Sequence, residues 1–507
     1  MKYIYFFFAL ILFTSCGEDD NPQPKEDTSS SNGEELAKQY CSGCHAYAAP
    51  DVLVKESWEK VLPAMRDFMG LYDNPKRRDS LLGNDPEVKK ALLEGNIYPE
   101  NPMLSEETYQ IIYDYYINNA PMSIEKFIGE KVPLDQKVFK VREPEQRVKI
   151  PSTTMAYLNN GNIYIGDANT KSLSIFDRNL KLQKTGNVNE GAVWLNFYDN
   201  VMFCTVMGSF SPTDKDIGMV LAMPKEPGKQ AQILVDKLRR PVHTATGDLD
   251  GNGMDDLVVS EFGYRTGSLS LFLNQGKLNF QEKKLYNKSG PIRSVIRDYD
   301  KDGDLDVITL IGQADEQITL FSNDGLGNFK SEKLIQLPPM YGSAYFDFVD
   351  YDSDGQDEIV YCNGDNADLS QQLKQFHGVH IFEFIDGKWV EDKFFQLNGA
   401  YKAIFEDFDL DGEKDLAAIS VFPDFYNNPG EGFVLFENEG DGKYSRHSIE
   451  MPDRGRWIVM DSGDLDNDGD TDLVIGSLTM QVDKSGTFTK KWMDKGLPFI
   501  YLENMTK

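Results

Sequence analysis

Histidine and cysteine are scarce in this chain, with five of each in 507 residues. Cys204 and Cys362 fall in separate apolar strands, too far apart to pair, and read as buried free thiols. His377 and His380 stand near one another without a third convergent group, the pattern of turn or core histidines more than of metal ligands. Basic residues are also outnumbered: 52 Lys and Arg face 82 Asp and Glu, a formal charge of −30. That balance makes nucleic acid and anionic membrane surfaces poor partners. No serine, cysteine or carboxylate constellation stands out as catalytic, and no quinone site is evident, so the catalytic residues are unknown. Beyond the N-terminus no second long apolar run occurs.

The N-terminal run begins Met1-Lys2, continues apolar from Tyr3 to Phe13 and reaches Thr14-Ser15-Cys16. It is a signal peptide, too short to span a membrane. It resembles a bacterial lipoprotein signal covering residues 1–16, with Cys16 as the point of cleavage and lipidation; an ordinary secretory signal is the competing reading. Residues 17–34 are polar and rich in Pro and Ser, a tether without a fold. The acidic residues after Cys16 resemble the surface-export signal of Bacteroidetes lipoproteins. The resemblance implies an exported outer-membrane lipoprotein facing the periplasm or the cell surface.

Cys41-Ser42-Gly43-Cys44-His45 has the spacing of c-type haem attachment, in which two thiols join the porphyrin and the adjacent His becomes an iron ligand. A thioredoxin-like redox pair would need a surrounding βαβ pattern, which is missing. A plain disulfide would leave His45 unexplained. Residues 34–41 predict a short helix. Residues 105–119 predict another, with Ser105 as N-cap, Glu106 and Glu107 at the positive dipole end, and Ile111, Ile112, Tyr115 and Tyr116 on one face. The arrangement resembles a small class I cytochrome c over residues 35–125. That likeness implies one covalent haem c on Cys41 and Cys44, His45 as axial ligand, and Met103 as the second, with Met65 as the alternative.

Five acidic nonamers follow, starting at Asp248, Asp298, Asp350, Asp407 and Asp464. Each places oxygen ligands at positions one, three, five and nine with Gly at position six. The sets are Asp248, Asp250, Asn252 and Asp256; Asp298, Asp300, Asp302 and Asp306; Asp350, Asp352, Asp354 and Glu358; Asp407, Asp409, Asp411 and Asp415; and Asp464, Asp466, Asp468 and Asp472. A tight turn with several hard oxygen ligands suits Ca2+, and position seven would add a carbonyl. An EF-hand would need a Glu at position twelve and flanking helices, and neither is present. A short apolar strand follows each loop instead, so each loop closes a hairpin. At these residues the chain resembles the FG-GAP/VCBS repeats, which form blades of a β-propeller with Ca2+ in the hairpin loop. About five ions would neutralise about ten units of negative charge.

The loops recur roughly every 50 to 57 residues, and two stretches near 152–190 and 191–240 show similar strands without an acidic loop. Seven blades over residues 151–507 is the expected count. The last blade is one strand short after Phe499-Ile-Tyr-Leu-Glu. Val138-Phe-Lys-Val141, within a linker at 126–150, is placed to complete it. The fold class is thus a small all-α cytochrome c domain followed by an all-β propeller, five of whose blades carry Ca2+ loops.

The face opposite those loops carries long insertions at 363–380, 422–431 and 478–492. Five residues before each nonamer stand His243, Arg293, Tyr345, Lys402 and Val459, with Arg240, Arg454, Arg456 and Trp457 nearby. If they ring the channel mouth, the cations would favour an anionic ligand, and Trp457, Phe425 and Tyr426 could stack a sugar. The bland alternative is that they form inter-blade ion pairs. The ligand-face candidates are therefore His243, Arg293, Lys402, Arg456, Trp457 and His377.

The two modules together resemble exported bacterial proteins in which a monohaem cytochrome c precedes an FG-GAP/VCBS propeller. That resemblance implies a membrane-anchored cytochrome transferring single electrons, whose propeller binds a redox partner protein, an oxidisable small molecule or a glycan. A haem-coupled dehydrogenase acting on a sugar or alcohol, and a surface binding or adhesion protein carrying a haem, are the alternatives. Whether the chain is an enzyme stays open, because fold does not fix function.

Overall fold

The computed structural model describes residues 33–123, 129–226, 228–365, 373–480, 482 and 485–507. The signal and lipidation expectations at 1–16, including Cys16, lie outside them.

Seven four-stranded antiparallel sheets form the blades of a β-propeller. Blade 1 comprises Thr153–Asn159, Asn162–Asp167, Ser172–Asp177 and Leu182–Asn187. The first strands of blades 2 to 7 are Ala192–Phe197, Pro241–Gly247, Pro291–Arg297, Ser343–Val349, Ala400–Glu406 and Trp457–Gly463. Blade 1 turns between its first two strands on Asn160-Gly161, both in the left-handed region. This two-residue turn matches strand twist unaided. Blades 3 to 7 make the same connection through the acidic loops. The second strands of these blades, such as Asp256–Glu261 and Asp472–Ser477, are buried along their whole length. This is why a continuous apolar run follows each nonamer instead of an alternating one.

The core lies in layers between adjacent blades and not at one centre. Blades 6 and 7, for example, share Ile419, Phe433, Met460, Leu473 and Leu502. Blades 7 and 1 share Val474, Phe499, Ile163 and Phe176, which closes the ring.

Phe139–Arg142 is the outer strand of blade 7 and pairs antiparallel with Phe499–Asn504, Phe139 opposite Asn504 and Arg142 opposite Tyr501. A segment that precedes the propeller in sequence thereby locks its final blade. Phe139 is buried edge-on against Phe408 and Phe433. Upstream, the linker is pinned to blade 6: the Val132 amide donates to Asn428 Oδ1 at 3.0 Å and Ser448 N to the Pro133 carbonyl at 2.7 Å.

Six α-helices occur among the described residues: α1 Gly33–Cys41, α2 Lys55–Phe68, α3 Arg77–Leu82, α4 Pro86–Glu94, α5 Glu106–Asn119 and α6 Thr487–Lys495. None is long and apolar enough to cross a membrane. Ser105 caps α5, its Oγ accepting the Thr108 amide at 3.1 Å. The helix then lays Tyr109, Ile112 and Tyr116 against Trp58, Leu62 and Leu104. This N-terminal helical module rests on the propeller face opposite the acidic loops. Asp85 pairs with Lys215 at 3.4 Å, the Arg265 guanidinium lies 5.1 Å over the Phe68 ring, and Met340 packs against the module's core. Lys215 and Arg265 sit in loops joining second and third strands, and Met340 in the connection between blades 4 and 5.

Candidate functional site

The five acidic loops share one internal architecture. The position-one carboxylate accepts the amide of the position-six Gly, as Asp248 does from Gly253 at 2.8 Å and Asp407 from Gly412 at 3.0 Å. The position-five side chain accepts the amide of residue seven in every loop, from Asn252 with Met254 to Asp468 with Asp470. These bonds wrap the backbone around its own side chains. The wrapping needs positive φ at position six, between +81° and +100° at Gly253, Gly303, Gly355, Gly412 and Gly469, which Gly adopts at little cost.

Position nine has a second task that its spacing alone does not disclose. Asp256 is fully buried, and its two oxygens accept the Leu249 amide at 2.8 Å and the Asn274 amide, at the end of the third strand, at 2.7 Å. Asp306, Asp415 and Asp472 make the same pair of bonds. Glu358 keeps the bond to Tyr351. The acid thus ties the loop to the strand beyond it while its remaining lone pairs face the turn.

In each loop three acids bring ligand atoms within 4.8 Å of one another: Asp248, Asp250 and Asp256; Asp298, Asp300 and Asp302; Asp350, Asp352 and Glu358; Asp407, Asp409 and Asp411; Asp464, Asp466 and Asp472. Burial, with help from neighbouring carboxylates, pushes Glu358 and Asp415 up to about 7 and Asp472 to about 6. Buried oxygens Asp298 Oδ1, Asp350 Oδ1, Asp466 Oδ1 and Asp470 Oδ1 have no hydrogen-bond donor. An orphaned buried carboxylate oxygen is costly unless a cation satisfies it. The donor set is all oxygen, so these loops could hold Ca2+.

In the helical module, Cys41 and Cys44 are free thiols at the C-terminal end of α1, linked by the Cys44 N to Cys41 O bond of 3.3 Å. Cys44 is exposed, whereas burial raises the half-buried Cys41 to about 11. His45 Nδ1 lies 2.7 Å from the Ala46 carbonyl. A ring nitrogen donating to a main-chain carbonyl leaves Nε2 as the ligand nitrogen. Met103 is 52 % exposed and Met65 half-buried on α2. Two unpaired thiols, a tethered imidazole and an accessible thioether are a donor set compatible with haem c.

The ligand-face candidates divide into separate environments. His243, Arg293 and Lys402 do gather in the channel, but with their own partners. Arg293 Nη2 pairs with Asp347 of the next blade at 2.7 Å, and the guanidinium stacks 4.9 Å from Tyr345 and 5.2 Å from Trp194. Lys402 lies over Tyr345 at 5.3 Å, and Asp461 acts on it in the same cluster. His243 packs on Trp194 at 4.0 Å, and burial beside Arg293 and Lys402 holds its imidazole neutral. Inter-blade pairing therefore satisfies much of this cationic ring.

Trp457 offers no stacking face. It is completely buried, its Nε1 donating to the Pro452 carbonyl at 2.7 Å, because residues 452–454 fold over it. Arg454 is taken by Glu143 at 2.9 Å. His377 is buried, and burial lowers it to about 3. His380 instead bonds Asn363 at 3.0 Å and Glu391 at 3.1 Å. Arg456 is buried as well, its Nε donating to the Val421 carbonyl at 2.8 Å and its guanidinium lying 4.5 Å over the Phe422 ring. Cys204 and Cys362 are buried and unpaired in blades 2 and 5. The insertions at 422–431 and 478–492 meet in a satellite core of Phe422, Phe425, Val482, Phe488 and Trp492, leaving Tyr426 exposed at its edge.

Residues 248–309, 298–361 and 377–475 match the FG-GAP-like repeat. No curated protein matches the chain. Among solved structures, a streptogramin B lyase is similar at 12 % identity, covering 73 % of this chain and 98 % of that one, with a TM-score of 0.46. The N-terminal domain of Nup159 is similar at 10 % identity over 74 % of this chain and 99 % of that one, with a TM-score of 0.43. BBS1N, solved in complex with ARL6DN, is similar at 10 % identity over 73 % and 98 %, with a TM-score of 0.44. The chain described here carries FG-GAP-like repeats within a seven-bladed β-propeller.

Proposed function

We propose that this protein is an exported, lipid-anchored c-type cytochrome that exchanges single electrons, with a calcium-stabilised propeller as the docking platform for its redox partner. The observation that carries this reading is the Cys41-Ser42-Gly43-Cys44-His45 segment, whose thiols are unpaired and whose imidazole is tethered through Nδ1. Cys41 and Cys44 would hold the porphyrin, and His45 would supply one axial nitrogen. Met103 is the second ligand in this reading, with Met65 as the alternative. A bound haem of this type supplies reversible one-electron exchange.

The rest is done by the chain itself. The aromatic wall of Trp58, Tyr109 and Tyr116 excludes water from the module's core. The Asp85–Lys215 and Arg265–Phe68 contacts support a fixed seat for the module on the face opposite the acidic loops. That face is where a partner protein, an oxidisable small molecule or a glycan would approach. Lipidation at Cys16 would keep the assembly at the outer membrane.

Spectroelectrochemical titration of the full chain, produced with haem-attachment machinery and then mixed with oxidisable sugars and alcohols, tests the reading. A single one-electron wave with no reduction by those compounds is expected. Reduction by one class would replace the carrier with a dehydrogenase, and absence of any wave would sink both.

A further inference from the structure

The outer strand of blade 6, Tyr444–His447, pairs antiparallel with Phe433–Asn438, placing Ser445 opposite Glu437 and His447 opposite Leu435. Residues two apart on a strand share a face, so Ser445 and His447 stand side by side. The Ser445 Oγ lies 2.9 Å from His447 Nε2. The other ring nitrogen, Nδ1, lies 2.8 Å from Oδ1 of Asp135, 312 residues upstream. Asp135 belongs to the linker that runs on to the outer strand of blade 7. The linker is fixed against blade 6 on both sides of it, by the Ser448 amide donating to the Pro133 carbonyl at 2.7 Å and the Gln136 amide donating to the Ser448 carbonyl at 3.3 Å. Only the folded chain brings the three side chains together.

The order of these bonds sets the role of each atom. A carboxylate only accepts, so Nδ1 carries the hydrogen donated to Asp135, and Nε2 of the neutral ring accepts from the Ser445 hydroxyl. A serine hydroxyl bonded to an imidazole that a carboxylate orients is the arrangement that makes serine a nucleophile, and it is recognised by geometry whatever the fold or chain order. Ser445 and His447 are both half-buried, packed enough to hold the ring and open enough for a small molecule to reach the hydroxyl. The strand also aims a main-chain donor. Glu439 N donates to the Lys443 carbonyl at 2.9 Å, and bonded and non-bonded pairs alternate along an antiparallel ladder. Glu437 and Ser445 are therefore the next bonded pair, while the Arg446 amide, opposite Phe436, faces the outer edge as the Ser448 amide does. An outward amide directly after the nucleophile is placed to receive the charge that develops on an attacked carbonyl oxygen. Leu134, beside Asp135 and 46 % exposed, adds apolar surface next to the site.

We infer that Ser445, His447 and Asp135 form a nucleophilic triad that hydrolyses carboxylic esters bearing a small acyl group. Ser445 Oγ attacks the ester carbonyl carbon while its proton passes to His447 Nε2. The carbon–oxygen bond to the leaving alcohol then breaks, and His447 returns that proton to the alcohol oxygen. Water, deprotonated in turn by His447, attacks the acyl-serine, releasing the carboxylic acid and restoring the Ser445 hydroxyl. Asp135 is a positioning residue: it holds the ring and its tautomer and stabilises the imidazolium. The activity goes beyond electron exchange and does not depend on haem.

Labelling of the full, calcium-loaded chain with a fluorophosphonate, mapped by peptide mass spectrometry, tests it together with the hydrolysis of p-nitrophenyl acetate. A covalent adduct on Ser445 is expected, absent in Ser445→Ala. Ester hydrolysis should fall about a hundredfold or more in Ser445→Ala and His447→Gln. Asp135→Asn should lower kcat at least about tenfold with KM little changed, a split that mere loosening of the linker would not produce. If circular dichroism shows that the His447 or Asp135 variant is unfolded, Ser445→Ala, which removes a single hydroxyl, decides. The inference is overturned if no adduct forms on Ser445 of the wild-type chain, or if hydrolysis is unchanged in folded Ser445→Ala. A Ser445 adduct and a haem on Cys41 and Cys44 are read on different peptides, so the two proposals can fail separately.

Discussion

Asn504, at the end of the last strand, donates its side-chain amide to the carbonyl of Phe408, which lies in the acidic loop of the preceding blade, at 2.8 Å. The same amide reaches Thr471 O in its own blade at 3.1 Å. Asn323 makes the matching inter-blade bond to Leu249 O at 2.8 Å. Adjacent loops are therefore coupled through asparagines. Asn504→Ala would strand buried carbonyls in two blades, and a loss of about 1–3 kcal/mol in unfolding free energy is expected. Urea unfolding checks this, and an unchanged midpoint would refute the coupling.

The strand Phe139–Arg142 should matter more than its four residues suggest. Phe139→Ala leaves a void between Phe408 and Phe433, and about 3–5 kcal/mol of destabilisation is expected. Deletion through Arg142 removes the outer strand of blade 7 altogether. The truncated chain should lose its single cooperative melting transition, which differential scanning calorimetry would record.

Calcium should bind in five places, one per cluster of acids. Asp350→Asn keeps an oxygen for the Gly355 amide but loses the charge of the orphaned Oδ1. Equilibrium dialysis should show one fewer ion per chain in this variant. Chelation should lower the melting temperature of the wild type, because the loop acids would then repel one another without a cation between them. A stoichiometry unchanged by Asp350→Asn would rule out that loop as a site.

Glu316 bears on pH. It is buried in the loop between the second and third strands of blade 4, accepts from Gly342 N, Ser343 N and the Ser343 hydroxyl, and is pushed up to about 7, chiefly by burial. Its folded value thus lies above the unfolded value of about 4.3. The stability tied to its protonated form is fully present below about pH 4.3 and is lost as pH rises through 7. Glu316→Gln should flatten that loss. Between pH 5 and pH 8 in saturating calcium, the wild type should lose more stability than the variant, by roughly 2–3 kcal/mol. Parallel pH profiles would contradict the assignment.

The propeller was largely legible because its signals are local: ligand spacing, a turn glycine and the apolar strand that follows all fall within a dozen residues. The missing last strand could be placed because Phe499–Asn504 lacked a neighbour. Long-range contacts were less legible. The second task of Asp256 depends on Asn274, eighteen residues away, and Trp457 is withdrawn from solvent by the turn at Pro452, which no periodicity announces. The residues just before the first strands did leave a trace: eight residues before each nonamer stand Arg240, Gly290, Gly342, Gly399 and Arg456, two arginines in a register of glycines.

The proposed function stands on haem attachment at Cys41 and Cys44. Intact-mass spectrometry of the full chain, co-expressed with haem-attachment machinery beside a known c-type cytochrome as control, decides it. A mass increase of one haem is expected, surviving denaturation and disappearing in the Cys41→Ala, Cys44→Ala double variant. An unmodified mass from cells that mature the control would contradict it.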